Sequence, residues 1–107
     1  MSAVETTTPR IVGVIRIIRR PGLSVNQLDA LIGISLQDTA SPSDIVERLN
    51  CSGSAVTQIL DVLERRRYIT RRYAAGVGDR RRSMLAITEA GRLLIESLET
   101  QLETPLS

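Results

Sequence analysis

The sequence predicts a mainly α-helical fold with one small β-hairpin, built as a single domain of 107 residues. Three observations support it. Apolar residues recur at helical spacing in five segments. Polar capping residues precede several of these segments. Two alternating runs flank a glycine-containing turn between the fourth and fifth segments, which is typical of a hairpin.

The composition limits the classes of function. No apolar run approaches the roughly 18 residues of a membrane-spanning helix, and Arg16 interrupts the apolar run near the start, which argues against a secretory signal. We therefore expect a cytoplasmic protein without membrane contact. With no histidine and one cysteine, Cys51, the chain has too few ligands for a transition metal. We expect no metal, no cofactor and, because no catalytic pair is visible, no enzymatic activity.

The first helix is predicted at about residues 9–20, behind a flexible polar tail at residues 1–8. It is apolar around much of its circumference. Its stripe comprises Ile11, Val14, Ile15 and Ile18, with Val12 and Ile17 to the side. One small domain would struggle to cover such a helix, so we expect it to pack against a partner subunit. The alternative is a core helix of a monomer.

Two further helices follow. Ser24 and Gln27 are spaced as a capping box for the second, whose inward residues are Leu28, Leu31, Ile32 and Ser35. Ser41 is a good N-cap for the third, and Pro42 suits its first position. The third helix turns Ile45, Val46 and Leu49 inward.

The fourth helix is capped by Ser52 or Ser54 and buries a regular stripe of Val56, Ile59, Leu60 and Leu63. With the third helix it forms a helix-turn-helix at about residues 41–66. A hairpin at about residues 68–88 follows, and this order is that of a winged helix-turn-helix.

Thr88 caps a last helix at about residues 88–104. Its apolar stripe comprises Leu94, Ile95, Leu98 and Leu102. This helix, like the first, shows more apolar surface than one domain needs. We therefore expect the two helices to form a homodimer interface, and residues 9–107 to form one domain.

Positive charge is concentrated in one part of the chain. From Arg65 to Arg82 there are eight arginines and a single acid, Asp79. All 14 basic residues are arginine, which suits bidentate phosphate contacts. This pattern fits a nucleic-acid partner, although an arginine-only composition can also reflect a GC-rich genome. Together with the winged helix-turn-helix, it makes double-stranded DNA the expected partner. Arg71 and Arg72 point to opposite faces of a strand, so one of them at most should face DNA; we assign Arg72.

The segment from Ser41 to Gly91 resembles the winged helix-turn-helix of the MarR family of transcriptional regulators. The register runs without a gap through "SPSDIVERLNCSGSAVTQILDVLERRRYITRR". The following "DRRRSMLAITEAG" matches the wing motif of the family at Asp79, Arg80, Arg81, Ile87, Thr88 and Gly91. The upstream "LSVNQLDAL" resembles the preceding helix, so the likeness spans about residues 23–98.

The resemblance implies a two-fold symmetric dimer, held by the first and last helices, that places recognition helices in adjacent major grooves. Members of the family usually act as repressors released by a small molecule or an oxidant. This sequence departs from the pattern in three places. It ends soon after the fifth helix, so we expect a reduced interface and ligand crevice. Arg67 stands where the family has glycine. Cys51 replaces an apolar turn residue and is expected to be buried.

At the tip of the wing, an arginine can enter the narrow minor groove. Because the family motif has the form Asp-x-Arg, we expect Arg81 to be that residue and Asp79 to position it. Arg80 and Arg82 then contact phosphates or face solvent.

On the fourth helix, Ser54, Thr57 and Gln58 form a polar outer face suited to base edges and phosphates. Ser52 is expected to cap the helix and meet a phosphate there. Arg65 is a further DNA-contact candidate, although a positive charge at the end of a helix is also favourable by itself.

The leading hypothesis is a homodimeric, sequence-specific repressor that binds an inverted repeat with half-sites about one helical turn apart. An architectural or plasmid-partition DNA-binding protein is one alternative. A winged helix that docks an acidic protein is another. A small-molecule effector has little support, because two tyrosines are the only aromatic residues.

Overall fold

The computed structural model of the protein describes the backbone of residues 3–74 and 82–103, and the side chains of residues 9–72 and 83–103. These residues form five helices and an antiparallel two-stranded hairpin, which confirms the predicted fold class. The elements are α1 (Ala3–Arg19), α2 (Val25–Ser35), α3 (Pro42–Leu49), α4 (Gly53–Arg65), β1 (Ile69–Ala74), β2 (Arg82–Ile87) and α5 (Glu89–Glu103).

Side-chain caps set the helix starts where the sequence placed them. Ser24 and Gln27 form the predicted capping box of α2. Ser41 caps α3 in the same way, with the Asp44 carboxylate accepting from the Ser41 backbone N–H at 2.9 Å. Ser52, rather than Ser54, caps α4 through the Ala55 N–H at 3.1 Å. The boundaries of the helix-turn-helix therefore follow from local hydrogen bonds.

The core is centred on α2, which contacts α3, α4, β2 and α5. The largest fully buried side chains are Leu31, Ile34, Ile45, Leu60, Leu63, Ile69, Leu85 and Val56. Each buried leucine or isoleucine contributes about 1.5–3 kcal/mol relative to an exposed one. Three of the four predicted stripe residues of α4 lie in this set, and the fourth, Ile59, is half-buried.

The inward face predicted for α2 is partly wrong. Ile32, predicted to be inward, is exposed, whereas Ile34 is fully buried. The reason is that α2 is surrounded by several elements, so that its buried surface turns toward Ala30 and Ile34 instead of following one simple stripe.

The first helix also differs from expectation. It begins at Ala3, so the backbone of residues 3–8, expected as a tail, is helical, with Pro9 inside the helix. The fixed φ of proline is compatible with a helix, although one hydrogen bond is lost. Near its other end, Ile17 is the α1 side chain that enters the core, because α1 reaches the rest of the domain mainly through its contact with α5.

Besides the pairing of β1 with β2, the wing has a backbone connection to the loop before α3 that the sequence did not indicate. In the hairpin, Ile69 lies opposite Ile87 and Arg71 opposite Leu85. On the other edge of β2, Ala40 and Leu85 exchange two backbone hydrogen bonds, of 2.7 and 3.4 Å. The loop between α2 and α3 is thus joined directly to the base of the wing.

The end of α4 is closed by a left-handed residue, Arg67, with φ of 64°. The Arg67 N–H donates to the Glu64 carbonyl and the Tyr68 N–H to the Leu63 carbonyl, both at 2.9 Å. This pair of bonds is the Schellman arrangement, in which glycine is the favoured left-handed residue. The arginine therefore keeps the conformation but carries the steric cost of its Cβ.

We expect Arg67→Gly to raise the free energy of unfolding by about 1 kcal/mol, because glycine removes the Cβ penalty at this left-handed position. Chemical denaturation in urea measures the change. Arg65→Gly is the matched control: Arg65 has helical geometry, so glycine there should lower the free energy of unfolding by a similar amount. A loss of stability in both variants would contradict the assignment.

Thr88 and Gly91 connect the end of α4 to the start of α5. The Thr88 hydroxyl donates to the Arg67 carbonyl at 2.7 Å and accepts from the Gly91 N–H at 3.1 Å, so it caps α5 as predicted. The Thr88 N–H also donates to the Tyr68 carbonyl at 3.0 Å. Gly91 lies directly over this junction, where a Cβ would come within 2.4 Å of the Tyr68 carbonyl oxygen.

Candidate nucleic-acid interface

The fourth helix has one face in the core and one face in solvent. Val56, Leu60 and Leu63 are at most 1% exposed. On the opposite side, the predicted contact residues Ser52, Ser54, Thr57 and Gln58 are all exposed. The structure therefore brings these four polar residues together on one surface, which we call the α4 outer face.

Hydrogen bonds within the α4 outer face decide what each side chain can offer a ligand. The Ser52 and Ser54 hydroxyls lie 3.2 Å apart and share a hydrogen bond. The Thr57 hydroxyl donates to the Gly53 carbonyl at 3.0 Å. Gln58 has no side-chain hydrogen bond to any described residue, so its amide donor and acceptor are both available.

Three exposed arginines near the end of α4 and on β1 differ in whether they have a hydrogen-bond partner among the described residues. Arg65 and Arg72 are exposed and form no hydrogen bond or ion pair with a described residue. Arg66 instead donates to the Pro21 carbonyl at 2.8 Å, which ties α4 to the turn between α1 and α2. Among these three, Arg65 and Arg72 remain the candidates for phosphate contacts.

Arg71 joins β1 to α4 by a paired ion bridge. Its guanidinium donates to the Asp61 carboxylate at 2.6 Å and to the Glu64 carboxylate at 3.0 Å, and its side chain is 18% exposed. The two carboxylates raise the pKa of Arg71 above its ordinary value. The sequence pattern does not indicate this bridge, because the partners lie seven and ten residues away along the chain.

The same bridge makes part of the stability depend on pH. The hydrogen bond from Arg71 lowers the pKa of Glu64 below its ordinary value of 4.5. A carboxyl group with a lowered folded pKa contributes stability above its unfolded pKa. The contribution of Glu64 is therefore complete at neutral pH and is lost as the pH falls below about 4.5.

The tip of the wing lies outside the described residues. This holds for Asp79, Arg80 and Arg81, and for the side chain of Arg82, whose backbone pairs with Ala74 at the start of β2. The assigned roles of these four residues stay predictions. Cys51, expected to be buried, is only half-buried in the turn before α4, with a weak contact of 3.5 Å from its thiol to the Leu49 carbonyl.

The predicted dimer residues divide by exposure. Ile11, Val14, Ile15 and Leu102 are exposed, at 54%, 38%, 42% and 45%. Ile18, Leu94 and Ile95 are half-buried. Leu98 differs from the prediction: it is 8% exposed and belongs to the core of the protomer, because α5 turns it inward. The exposed members on α1 form a continuous apolar surface along one side of the helix.

An apolar groove of about 310 Å³ lies between α1, α2 and α5. Its lining residues are Ile18, Val25, Leu28, Asp29, Ile32, Ile95, Leu98, Glu99 and Leu102. The scarcity of aromatic residues argued against an aromatic-lined pocket for an effector, and this groove is instead lined mainly by aliphatic side chains, together with Asp29 and Glu99. The Asp29 carboxylate at its edge is engaged by Arg48 at 2.9 Å.

Two further properties concern the described part of the chain. No group of three or more histidine, cysteine or acidic side chains is placed there to hold a metal ion. Nor does any helix among those residues have the length and apolar character needed to cross a membrane.

Comparison with known proteins identifies the family. A family model described as "MarR family" matches residues 21–82, which include α2, the helix-turn-helix and β1. The chain belongs to the MarR family. MarR-family proteins are transcriptional regulators, and the resemblance noted in the sequence is thereby confirmed. No curated protein matched the chain.

Solved structures share the MarR-family architecture. The transcriptional regulator Tm0710 from Thermotoga maritima is 28% identical, with a TM-score of 0.75 over 92% of this chain and 68% of that one. YusO from Bacillus subtilis is 24% identical, with a TM-score of 0.81 over 92% and 69%. S. aureus MepR in a DNA complex is 21% identical, with a TM-score of 0.79 over 92% and 80%. At the identities of YusO and MepR, the likeness concerns the fold.

Proposed function

We propose that this MarR-family protein is a homodimeric repressor that binds an inverted-repeat operator. The observation that carries the proposal is the α4 outer face, where four polar residues are exposed on a helix whose other side is fixed in the core. A rigid helix with short polar side chains fits the major groove and can contact base edges there. MepR, which shares this fold, has been solved in complex with DNA, which supports DNA as the partner.

Two exposed arginines lie at the wing end of α4 and on the wing itself: Arg65 is in the last turn of α4, and Arg72 is on β1, on the strand face opposite Arg71. Arg65 and Arg72 are exposed and free of partners among the described residues, and we assign them to phosphates. Arg80, Arg81 and Arg82 follow in the sequence of the wing, where we assign Arg81 to the minor groove, positioned by Asp79. Phosphate contacts would set the register, whereas base contacts on α4 would set the sequence.

The exposed apolar surface of α1 supports the dimer. Ile11, Val14 and Ile15 place three large aliphatic side chains in solvent on one helix. A second copy that packs there would bury them, and the groove that contains Ile18 and Leu102 lies between the same terminal helices. The two terminal helices would then lie at the interface, with two helix-turn-helix units facing one side.

The proposal is tested by selection of bound duplexes from a random DNA pool, together with the mass of the protein in solution. A palindromic consensus and a dimeric mass at micromolar concentration are expected. Binding without a consensus would favour an architectural DNA-binding protein instead. Weak binding to every duplex at physiological salt would favour a protein-docking module.

A further inference from the structure

Thr57 occupies the centre of the α4 outer face. Ser54 precedes it by one turn and Asp61 follows it by one turn, so all three project from the same side of the helix. The side chain of Thr57 is exposed, and Val56 beside it is fixed in the core at 1% exposure. Because α4 is packed firmly in the core, it would hold Thr57 in a fixed position relative to a major groove of bound DNA.

The hydroxyl of Thr57 is already used by the helix itself. Its O–H donates to the Gly53 carbonyl at 3.0 Å, one turn earlier. A threonine hydroxyl has a single hydrogen, so none remains for a base acceptor. Because the side chain is branched at Cβ, the rotamer that holds the oxygen against the backbone also fixes the methyl group, Cγ2, in another staggered position. Thr57 thus offers DNA a methyl group and a lone pair.

We propose that Thr57 selects thymine through contact between its Cγ2 methyl and the C5 methyl of the base. Thymine is the only standard base that presents a methyl group in the major groove. This assignment rests on the proposed function, since it requires α4 to enter that groove. It deepens the proposed function by predicting one thymine at a defined place in each half-site.

The neighbouring side chains cannot make the same selection. Ser54 lacks a methyl group, and its hydroxyl shares a hydrogen bond with Ser52. Gln58 has a free amide, which suits the donor and acceptor pair of adenine but has no apolar end. Among the four exposed residues of the α4 outer face, Thr57 is therefore the one with a methyl group, whereas amide contacts belong to Gln58.

The test replaces each thymine of the selected consensus duplex, one position at a time, by deoxyuridine, which lacks only the C5 methyl. Wild-type protein should lose about fourfold in affinity per half-site at one symmetric position, which corresponds to the roughly 0.8 kcal/mol of one buried methylene-sized group. Substitution in both half-sites should cost about 15-fold. Affinities are measured by fluorescence anisotropy at fixed salt.

Two variants separate the methyl from the hydroxyl. Thr57→Ser keeps the hydroxyl and removes the methyl, so it should bind the thymine and uracil duplexes equally. Thr57→Val keeps the methyl and removes the hydroxyl, so it should retain the fourfold preference. Melting temperatures close to that of the wild-type protein establish that both variants are folded.

The outcomes distinguish a failure of the Thr57 assignment from a failure of the proposed function. If a palindromic consensus is found but no thymine in it is sensitive to uracil, or if Thr57→Ser keeps the full sensitivity, the assignment of Thr57 is wrong and the proposed function stands. If the protein selects no consensus, both are overturned.

Discussion

Replacing Gly91 by alanine is expected to lower the free energy of unfolding by about 3 kcal/mol. A Cβ at this position would lie 2.4 Å from the Tyr68 carbonyl oxygen and 2.8 Å from Cγ1 of Ile87. The first contact is with backbone, which can yield only if α5 moves away from the end of α4. That movement would stretch the hydrogen bonds by which Thr88 joins the two helices. Urea denaturation measures the loss.

Gly53→Ala is the matched control for this prediction. Gly53 is also the glycine of a helix, but a Cβ there would meet no atom within 4 Å. Alanine should therefore be neutral or stabilising by up to about 1 kcal/mol, since it restricts the unfolded chain and favours the helix. Equal destabilisation by both substitutions would show that the close approach at Gly91 is not the cause.

Replacing Arg71 by methionine is expected to weaken DNA binding about tenfold at physiological salt. In the wild-type protein its guanidinium neutralises Asp61 and Glu64, which lie at the edge of the α4 outer face. Without it, two carboxylates remain unpaired next to a surface that must approach phosphates. The stability should fall by no more than about 1 kcal/mol, because both carboxylates are partly exposed. Anisotropy titrations over a range of salt concentrations measure the binding.

Removing all three charged groups of the bridge tests whether unpaired carboxylates cause the weaker DNA binding. Adding Asp61→Asn and Glu64→Gln to Arg71→Met removes the uncompensated carboxylates, so affinity should return to within about threefold of the wild-type value. Persistent weak binding in the triple variant would instead mean that Arg71 acts by direct contact. Arg72→Gln is the matched control on the same strand: it breaks no described ion pair, and loss of a phosphate contact there should reduce the salt slope by about 0.9.

The helix starts and the order of elements could be predicted because their causes are local. Ser24 with Gln27, and Ser41 with Pro42, act within one helical turn, so their spacing in the sequence already implies their hydrogen bonds. The same is true of Thr88, whose hydroxyl accepts from the Gly91 N–H three residues further along the chain. The four polar residues of the α4 outer face follow from the spacing of the apolar stripe opposite them.

Other properties could not be predicted because they depend on which elements become neighbours. Periodicity indicated Ile32 as inward, but the surroundings of α2 bury Ile34 instead. Leu98 belongs to an apolar stripe, yet only packing places it in the core of the protomer. Nothing local distinguishes Arg71 from Arg72 as the partner of two carboxylates on α4.

The sequence by itself determined a winged helix-turn-helix of the MarR family, because caps, periodicity and the wing motif each act over a few residues. Only the tertiary structure decided that Arg71 neutralises the edge of α4, that Ala40 joins the base of the wing, and that Gly91 must lack a side chain. These features arise where segments distant in sequence approach within a few ångströms, and such approaches depend on the packing of the whole domain around α2.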